Sequence, residues 1–490
     1  MKKKTVINLL WIFISVIASI TAYLLFDFGV EYRSAEVVAA IAILMSLLWI
    51  TEAIPLSVTS LIPLILFPFT GTISAVEISQ TYVNSTIFLF LGGFIIAIAM
   101  ERWNLHKRIA INVINVVGTS NAKIVLGFML SSAFISMWIS NTATAVMLLP
   151  IGLAVINRLE DELGVERTSR FAIALMLGIA YSCSIGGIAT PIGTPPNLVF
   201  QRIYKINFPD NPEIYFGEWM KFAVPTSVIM LIFVWILLTK ILYKDKFGIK
   251  IDKEVINQEK NKLGKIRYEE KVVLIIFIVT SLLWIFRAEL NLGFFKIYGW
   301  SNLFPKSNYI DDGTIAITMA TLLFIIPVKK ENKEQNFILD YTAVNKIPWD
   351  IILLFGGGFA LAEGFVSSKL SELIGKQFIS LKNIDVIFLI AAVCFVLTFL
   401  TELTSNTATA QILLPILAAI SKELQINPLI LMLPATLSVS FAFMLPVATP
   451  PNAIVFSSRR LKIIDMAKTG IFINFFGIIV VTFIVWLFFV

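Results

Sequence analysis

Residues 140–145 read Ser-Asn-Thr-Ala-Thr-Ala, and the same six residues recur in the same order at 405–410, 265 positions further along the chain. A Leu-Pro pair follows each run at the same interval, ending at Pro150 in the first copy and at Pro415 in the second. Polar tripeptides of this kind are unusual inside apolar segments. Their repetition in register indicates that the chain contains an internal duplication.

Two further blocks extend the duplication on either side of these runs. Leu-Gly-Gly-Phe at 91–94 corresponds to Gly-Gly-Gly-Phe at 356–359, again 265 positions apart. Thr-Pro-Pro-Asn at 194–197 returns at 449–452, 255 positions later. The shorter interval is explained by the charged loop 158–170, which is present in the first copy. The order of the blocks is the same in both halves, so we expect two structurally related repeats.

The composition excludes a soluble protein. The chain has 490 residues, of which 58% are hydrophobic and 14% charged, and its mean hydropathy is +0.86. Soluble domains have roughly 45–50% apolar and about 25% charged residues, so this chain could not cover its apolar surface in water. The same numbers exclude disordered, collagen-like and disulfide-rich proteins. Long apolar stretches without a short alternation favour transmembrane α-helices over a β-barrel.

Some apolar segments are too long for one straight span and too short for two. They are residues 124–157, 386–421 and 425–457, and the long segment 171–201 is interrupted by prolines near its end. Non-helical backbone is tolerated at membrane depth only where it is buried in protein or lines a cavity. These lengths therefore predict re-entrant hairpins and discontinuous helices.

Lysine and arginine residues predict the orientation. Residues 240–271 carry ten of them, with smaller clusters at 102–108, 158–170, 329–333 and 459–468, whereas 71–83 has none. Because basic loops are mostly cytoplasmic, we expect 124–157 to form a hairpin that opens inward and 386–421 one that opens outward. The prediction is an all-α membrane protein with about eleven transmembrane helices and two re-entrant hairpins. The first span is not cleaved off as a signal peptide. The N-terminus lies inside and the C-terminus outside.

This layout divides the chain into four parts. They are an N-terminal span and connection at 1–34, a first repeat at 35–245 with its hairpin near 122–158, a cytoplasmic linker at 246–269, and a second repeat at 270–490 with its hairpin near 384–421. Because the hairpins open on opposite faces, the repeats are inverted. Secondary transporters with inverted repeats bind substrate near the midplane, where broken helices meet.

The remaining reactive residues argue against an enzyme. Cys183 and Cys394 lie far apart in apolar stretches and are better explained as small core residues than as a disulfide or metal pair. The single histidine, His106, lies among basic residues, where we expect a solvated loop.

The net charge of +7 reflects basic cytoplasmic loops rather than nucleic-acid binding. An ion channel is also disfavoured, because two opposed hairpins suggest alternating gates.

The repeated polar motifs offer hydroxyl, amide and backbone groups but almost no charge. Residues 124–157, 171–201 and 425–457 contain no Asp, Glu, Lys, Arg or His, and of these residue types 386–421 contains only Glu402. Glu402 is most simply explained as a solvated acid, the alternative being that it biases the second motif toward cations. Helix N-termini provide roughly half a positive charge each, and bound sodium could supply more. A dianion with sodium, a neutral substrate and a cationic substrate all fit these observations.

The motifs resemble those of the divalent anion:sodium symporter family. The paired Ser-Asn-Thr runs, the two Thr-Pro-Pro-Asn runs and Trp-Ile-Thr-Glu-Ala-Ile-Pro at 49–55 carry the resemblance, which covers nearly the whole chain. It implies a homodimer in the lipid membrane, each protomer having a scaffold and a mobile transport domain that works as an elevator. It also implies co-transported sodium ions and no organic cofactor.

The resemblance also implies which residues bind. Those expected to hold the substrate are Ser140, Asn141, Thr142, Thr194, Ser405, Asn406, Thr407 and Pro450. One sodium ion would lie by Ser136, Ser140, Asn141 and Gly193, and the other by Thr401, Thr404, Asn406 and Ala448. The implied function is sodium-coupled symport of C4 dicarboxylates such as succinate, malate or fumarate across the cytoplasmic membrane. A sodium-independent dicarboxylate exchanger and a citrate or sulfate carrier are the alternatives.

Overall fold

The computed structural model describes residues 2–118, 120–244, 254–291, 296–329 and 336–490. Regular structure in these residues is helical, except for an antiparallel pair of two-residue strands at Leu290–Asn291 and Lys296–Ile297 and an isolated bridge between Pro327 and Phe337. The helical architecture follows from the long apolar segments, since a helix satisfies its own backbone hydrogen bonds in lipid.

The helices of the first half run as follows. They are α1 Lys2–Leu25, α2 Arg33–Thr51, α3 Leu56–Thr59, α4 Ile62–Phe69, α5 Ala75–Gln80, α6 Ser85–Arg102, α7 Leu105–Val117, α8 Asn121–Ser136, α9 Asn141–Leu163, α10 Val165–Gly187, α11 Pro195–Asn207 and α12 Phe216–Ile236, which continues as a π-helix over Leu237–Leu242. Helix α13, Glu254–Leu263, follows the linker.

The second half also contains long and broken helices. They are α14 Tyr268–Ile285, α15 Asp312–Ile325, α16 Trp349–Ser367, α17 Leu370–Gln377, α18 Val386–Leu400, α19 Asn406–Leu424, α20 Leu429–Ser438, α21 Pro450–Phe456 and α22 Ile463–Phe489. Short 3₁₀ turns lie at Val30–Tyr32, Trp300–Leu303, Ser307–Tyr309, Tyr341–Lys346 and Ile379–Asn383.

Eight helical stretches of the described residues are long and apolar enough to cross a membrane. They are Thr5–Leu25, Val30–Thr51, Ala75–Arg102, Asn141–Leu163, Val165–Gly187, Phe216–Leu242, Trp349–Ser367 and Ile463–Phe489. Shorter apolar helices include α8, α15, α18 and α20. A multi-pass helical membrane protein is thereby confirmed. The count of eleven spans and the orientation of the termini stay predictions.

The two Ser-Asn-Thr motifs lie at tight turns between helices. The first turn joins α8 to α9, and the Ser140 side chain caps α9 by accepting a hydrogen bond from the Ala143 N–H at 3.2 Å. A serine at this position satisfies one of the unpaired amides of the first turn. The second turn joins α18 to α19, with Asn406 as the first helical residue.

Both Thr-Pro-Pro-Asn motifs begin the second half of a broken helix. Helix α10 ends at Gly187 and α11 begins at Pro195, while α20 ends at Ser438 and α21 begins at Pro450. Proline is favoured at the first helical position because its missing N–H would have no partner there. The prolines that break each long segment therefore also define where its second helix starts.

The repeated glycines allow two pairs of helices to pack closely. A β-carbon on Gly92 of α6 would lie 2.5 Å from the Ala316 backbone of α15. A β-carbon on Gly357, its counterpart in α16, would lie 2.6 Å from the Ser60 backbone just after α3. Both distances are too short for a side chain. The glycines thus fix equivalent crossings in the two halves.

Two expectations about the cytoplasmic side are corrected. His106 lies on helix α7 and is half-buried rather than solvated, with its Nδ1 2.9 Å from the Met100 carbonyl oxygen.

In the 246–269 linker, residues 246–253 lie outside the described residues. Residues Glu254–Leu263 form helix α13, which packs on α7 and α9 and buries Ile256. Sequence alone did not reveal this packing, because α13 has few apolar residues.

Candidate functional site

A cavity of about 700 Å³ lies where the two turns and the two helix breaks meet. All eight residues predicted to hold substrate line it, together with Gly193, Thr404 and Ala448 from the predicted sodium sets. The remaining wall comes from α2, α6 and α16, and includes Thr51, Glu52, Phe94 and Ile351. Residues more than 250 positions apart in sequence therefore converge on one space, of a size typical for small-molecule sites.

The first turn is braced by a short hydrogen bond across it. The Ser136 hydroxyl donates to Asn141 Oδ1 at 2.5 Å, which orients the Asn141 amide. Gly187, at the end of α10, lies directly beside this amide, since a β-carbon there would be 2.6 Å from Asn141 Oδ1. The Gly187 carbonyl oxygen in turn lies next to Gly193, where a β-carbon would be 2.4 Å away. Three of the four residues of the first predicted sodium set thus form one cluster of oxygen-bearing groups with the glycine backbone.

The second turn uses the same arrangement. The Thr401 hydroxyl lies 2.6 Å from Asn406 Oδ1 and 2.8 Å from the Val439 carbonyl oxygen, so one donor ties the turn to the end of α20. Thr404 contacts Thr409 through their hydroxyls at 2.7 Å. Ser136 and Thr401 are buried below the cavity rather than lining it. Each contacts an asparagine that lines the cavity, Asn141 or Asn406.

The last residue of each Thr-Pro-Pro-Asn motif has a role that sequence reasoning did not assign. Asn197 donates through Nδ2 to carbonyl oxygens of the preceding break, the shortest bond being 2.7 Å to Thr190. Asn452 does the same in the second repeat, donating to Ala442 and Leu445, each at 3.0 Å. Both side chains are buried. Their identical spacing within the motif was visible, but their partners became evident only in the folded chain.

The charged side chains that line the cavity are acidic. Of the described residues that line it, two are ionisable, Glu52 and Glu402. Glu402 is only 4% exposed, so its interpretation as a solvated acid was wrong. Glu52, which belongs to the 49–55 motif and was expected at a span end, adopts a left-handed conformation with φ of 48° at the end of α2 and is exposed at the cavity wall. The cavity thus combines hydroxyls, amides and backbone groups with negative charge.

These features define a class of protein. Many secondary active transporters have their substrate site where broken helices meet, and the broken helices around this polar cavity indicate that class. The expectation that the protein is not an enzyme agrees with this class.

The particular family follows from comparison with known sequences. The chain matches the family described as the sodium:sulfate symporter transmembrane region over residues 4–490 and belongs to it. It is 42% identical over 454 residues to the sodium-dependent dicarboxylate transporters SdcS of Staphylococcus saprophyticus and of Staphylococcus aureus. These alignments cover 92% of this chain and 85% of each relative. The resemblance to the divalent anion:sodium symporters is thereby confirmed.

Solved structures support the fold alone. The YdaH transporter of Alcanivorax borkumensis superposes with a TM-score of 0.57 at 10% identity, covering 86% of this chain and 88% of that one. MtrF of Neisseria gonorrhoeae, described as an antimetabolite efflux pump, gives a TM-score of 0.56 at 11% identity, covering 99% and 95%. Both share the helical membrane fold of this chain.

Proposed function

We propose that this protein is a sodium-coupled symporter of C4 dicarboxylates such as succinate, malate or fumarate in the cytoplasmic membrane. The observation that carries the proposal is the lining of the cavity, where two Ser-Asn-Thr turns face each other without a cationic side chain among the described lining residues. A dianion would meet only hydroxyls, amides and two carboxylates there. Co-bound sodium ions provide the missing positive charge.

The residue roles follow the two turns. Ser140, Asn141, Thr142, Ser405, Asn406 and Thr407, with Thr194 and Pro450, hold the substrate carboxylates. Ser136, Ser140, Asn141 and Gly193 form one sodium half-site, and Thr401, Thr404, Asn406 and Ala448 form the other. The support is their common position around one cavity and the short bonds that link Ser136 to Asn141 and Thr401 to Asn406.

The transport cycle that we propose moves the two turns and broken helices together. They form the mobile domain of an elevator, and α2, α6 and α16 belong to the scaffold, in a homodimer with two inverted repeats bounded as the sequence predicts. With the N-terminus inside, α2 ends at the cytoplasmic face. Thr51, Glu52 and Ile351 line the cavity, so in this orientation the end of α2 lies beside the proposed substrate site.

The test is uptake of labelled succinate into proteoliposomes. Replacing external sodium with potassium or choline should abolish concentrative uptake, because the dianion then lacks its charge partner. If more than two sodium ions accompany each dianion, an inside-negative potential should also accelerate uptake. Equal uptake in sodium, potassium and choline would contradict symport and favour a sodium-independent exchanger.

The substrate class is tested in the same vesicles by competition. Unlabelled malate and fumarate should inhibit succinate uptake at concentrations similar to succinate itself. The names of the staphylococcal relatives support a dicarboxylate. Stronger inhibition by citrate or sulfate than by malate would replace the C4 dicarboxylate with one of those anions.

A further inference from the structure

Glu402 lies in the turn between α18 and α19, and its carboxylate is enclosed by hydrogen-bond donors. Oε1 accepts bonds from the Phe443 N–H at 2.7 Å, the Met444 N–H at 2.9 Å and Asn474 Nδ2 at 2.8 Å. Oε2 accepts from the Met444 N–H at 3.1 Å and the Leu445 N–H at 3.2 Å. Three consecutive amides of the break between α20 and α21 therefore converge on one side chain.

This arrangement fits an ionised carboxylate. Every partner of both oxygens is an N–H donor, so a carboxyl proton would have no acceptor among them. Within the described ranges, no lysine, arginine or histidine forms an ion pair with Glu402. Consecutive backbone amides can hold an anion in this way, and bonds to a charged acceptor are stronger than neutral ones. The charge is thus held in place by amides but not cancelled by a cation.

The first repeat has no such carboxylate. The residue 265 positions before Glu402 is Met137, and its backbone carbonyl oxygen, not its side chain, accepts a bond from Thr190 at 2.5 Å. The amide of Ala189 in the first break bonds to Gly186 within its own turn. Two turns with the same Ser-Asn-Thr chemistry therefore differ by one buried negative charge.

We propose that Glu402 is a positioning residue that preorganises the second sodium half-site and makes it bind sodium more tightly than the first. Glu402 fixes the break at 443–445 against the turn that carries Thr401 and Asn406, so that their oxygens and the backbone near Ala448 keep one arrangement. Its charge also attracts a cation held beside Thr401. The inference rests on the proposed sodium coupling and specifies an asymmetry within it.

The experiment is a sodium titration of the thermal stability of the purified full-length protein in detergent, with choline balancing ionic strength. A ligand that binds the folded state raises Tm in a dose-dependent manner. In Glu402→Gln, which keeps the side-chain shape and loses the charge, about ten times more sodium should be needed for the same rise in Tm. Met137→Leu, the matched substitution in the other turn, should leave the sodium dose unchanged.

A positioning role differs from a merely structural one in the kinetic pattern. In proteoliposomes, Glu402→Gln should require more sodium for half-maximal uptake while the maximal rate and the KM for succinate at saturating sodium are retained. A structural role would lower Tm and the maximal rate without changing the sodium dose. That pattern, or an unchanged dose in both assays, would overturn the inference while leaving sodium coupling intact.

Two further outcomes separate the inference from the proposed function. If sodium does not stabilise the wild-type protein, both sodium coupling and the role of Glu402 are refuted. If Glu402→Gln does not fold, Asn474→Ala removes one donor from the α22 side and leaves the turn intact. A weakened sodium response in Asn474→Ala supports the inference, and an unchanged response refutes it.

Discussion

Gly187→Ala is the substitution that tests the first turn most directly. The added β-carbon would lie 2.6 Å from Asn141 Oδ1 and 3.1 Å from Asn141 Nδ2. Because the contact is shorter than 3.0 Å and the amide is the far end of a side chain, the amide must rotate out of its place while the backbone stays. That rotation breaks the 2.5 Å bond that Ser136 donates to Asn141. The change therefore disorders one predicted sodium half-site without removing any of its groups.

The expected magnitude follows from the bonds that are lost. A neutral hydrogen bond contributes about 1 kcal/mol, and an interaction with a charged partner about 1.5–3 kcal/mol. Since about 1.4 kcal/mol corresponds to a ten-fold change in affinity, we expect the sodium dose for half-maximal uptake to rise about ten-fold. The global fold should survive, because the clash is with a movable amide.

The assay is succinate uptake into proteoliposomes at increasing sodium, with Tm as the check on folding. Ala442→Gly is the matched control, because Ala442 occupies the position equivalent to Gly187 in the second repeat, 255 residues later. It removes volume rather than adding it and should leave the sodium dose unchanged. Ser136→Ala removes the same hydrogen bond without a clash and should reproduce the Gly187→Ala effect. A folded Gly187→Ala protein with a wild-type sodium dose would refute the assignment of Asn141 to a sodium half-site.

Two further predictions concern substrate binding. Asn141→Ala and Asn406→Ala should each weaken succinate affinity by roughly one to two decades, since each loses a bond of about 1.5–3 kcal/mol to a charged group. Normal uptake at low succinate by either variant would show that its turn is structural. The apparent affinity for total succinate should weaken between about pH 7.5 and about pH 5.5 in proportion to the dianion fraction, because carboxyl groups of the substrate titrate there. Two groups on the protein should not add to this dependence. Burial lowers the pKa of His106, which favours the neutral ring, and the Arg102 hydrogen bond holds the pKa of Asp340 below its usual range, so Asp340 stays ionised. Uptake at constant calculated dianion should be flat, and a persistent slope would show that a group on the protein titrates.

The sequence predicted the parts of the site that depend on local chemistry. Consecutive prolines cannot continue a helix, so both breaks were visible, and the repeated Ser-Asn-Thr runs identified the turns. The convergence of these segments followed from duplication, because equivalent elements of two related repeats meet at their interface. The eight predicted substrate residues accordingly line one cavity.

The parts that sequence did not predict depend on contacts between distant segments. Glu402 has no basic neighbour in sequence, so a solvated acid was the simplest interpretation. Its actual partners are backbone amides about forty residues later, from 443 to 445, and the side chain of Asn474. Amide groups are present at every non-proline position, so no residue type marks such a binding site. The contacts of Asn197 and Asn452 with carbonyl oxygens were hidden for the same reason.

The duplication also conceals a difference between the halves. Matching motifs suggest two equivalent half-sites, yet the first turn contains Met137 and lies against Gly187, whereas the second contains the buried Glu402 at the equivalent position. In the first half, the Asn141 amide is held by the Ser136 hydroxyl and lies directly against Gly187. In the second, a buried carboxylate fixes the surrounding backbone through three amides. Because preorganised groups lose less freedom when a ligand binds, we expect the half-site beside Glu402 to bind sodium more tightly than the other, even though the predicted binding residues of the two are nearly identical.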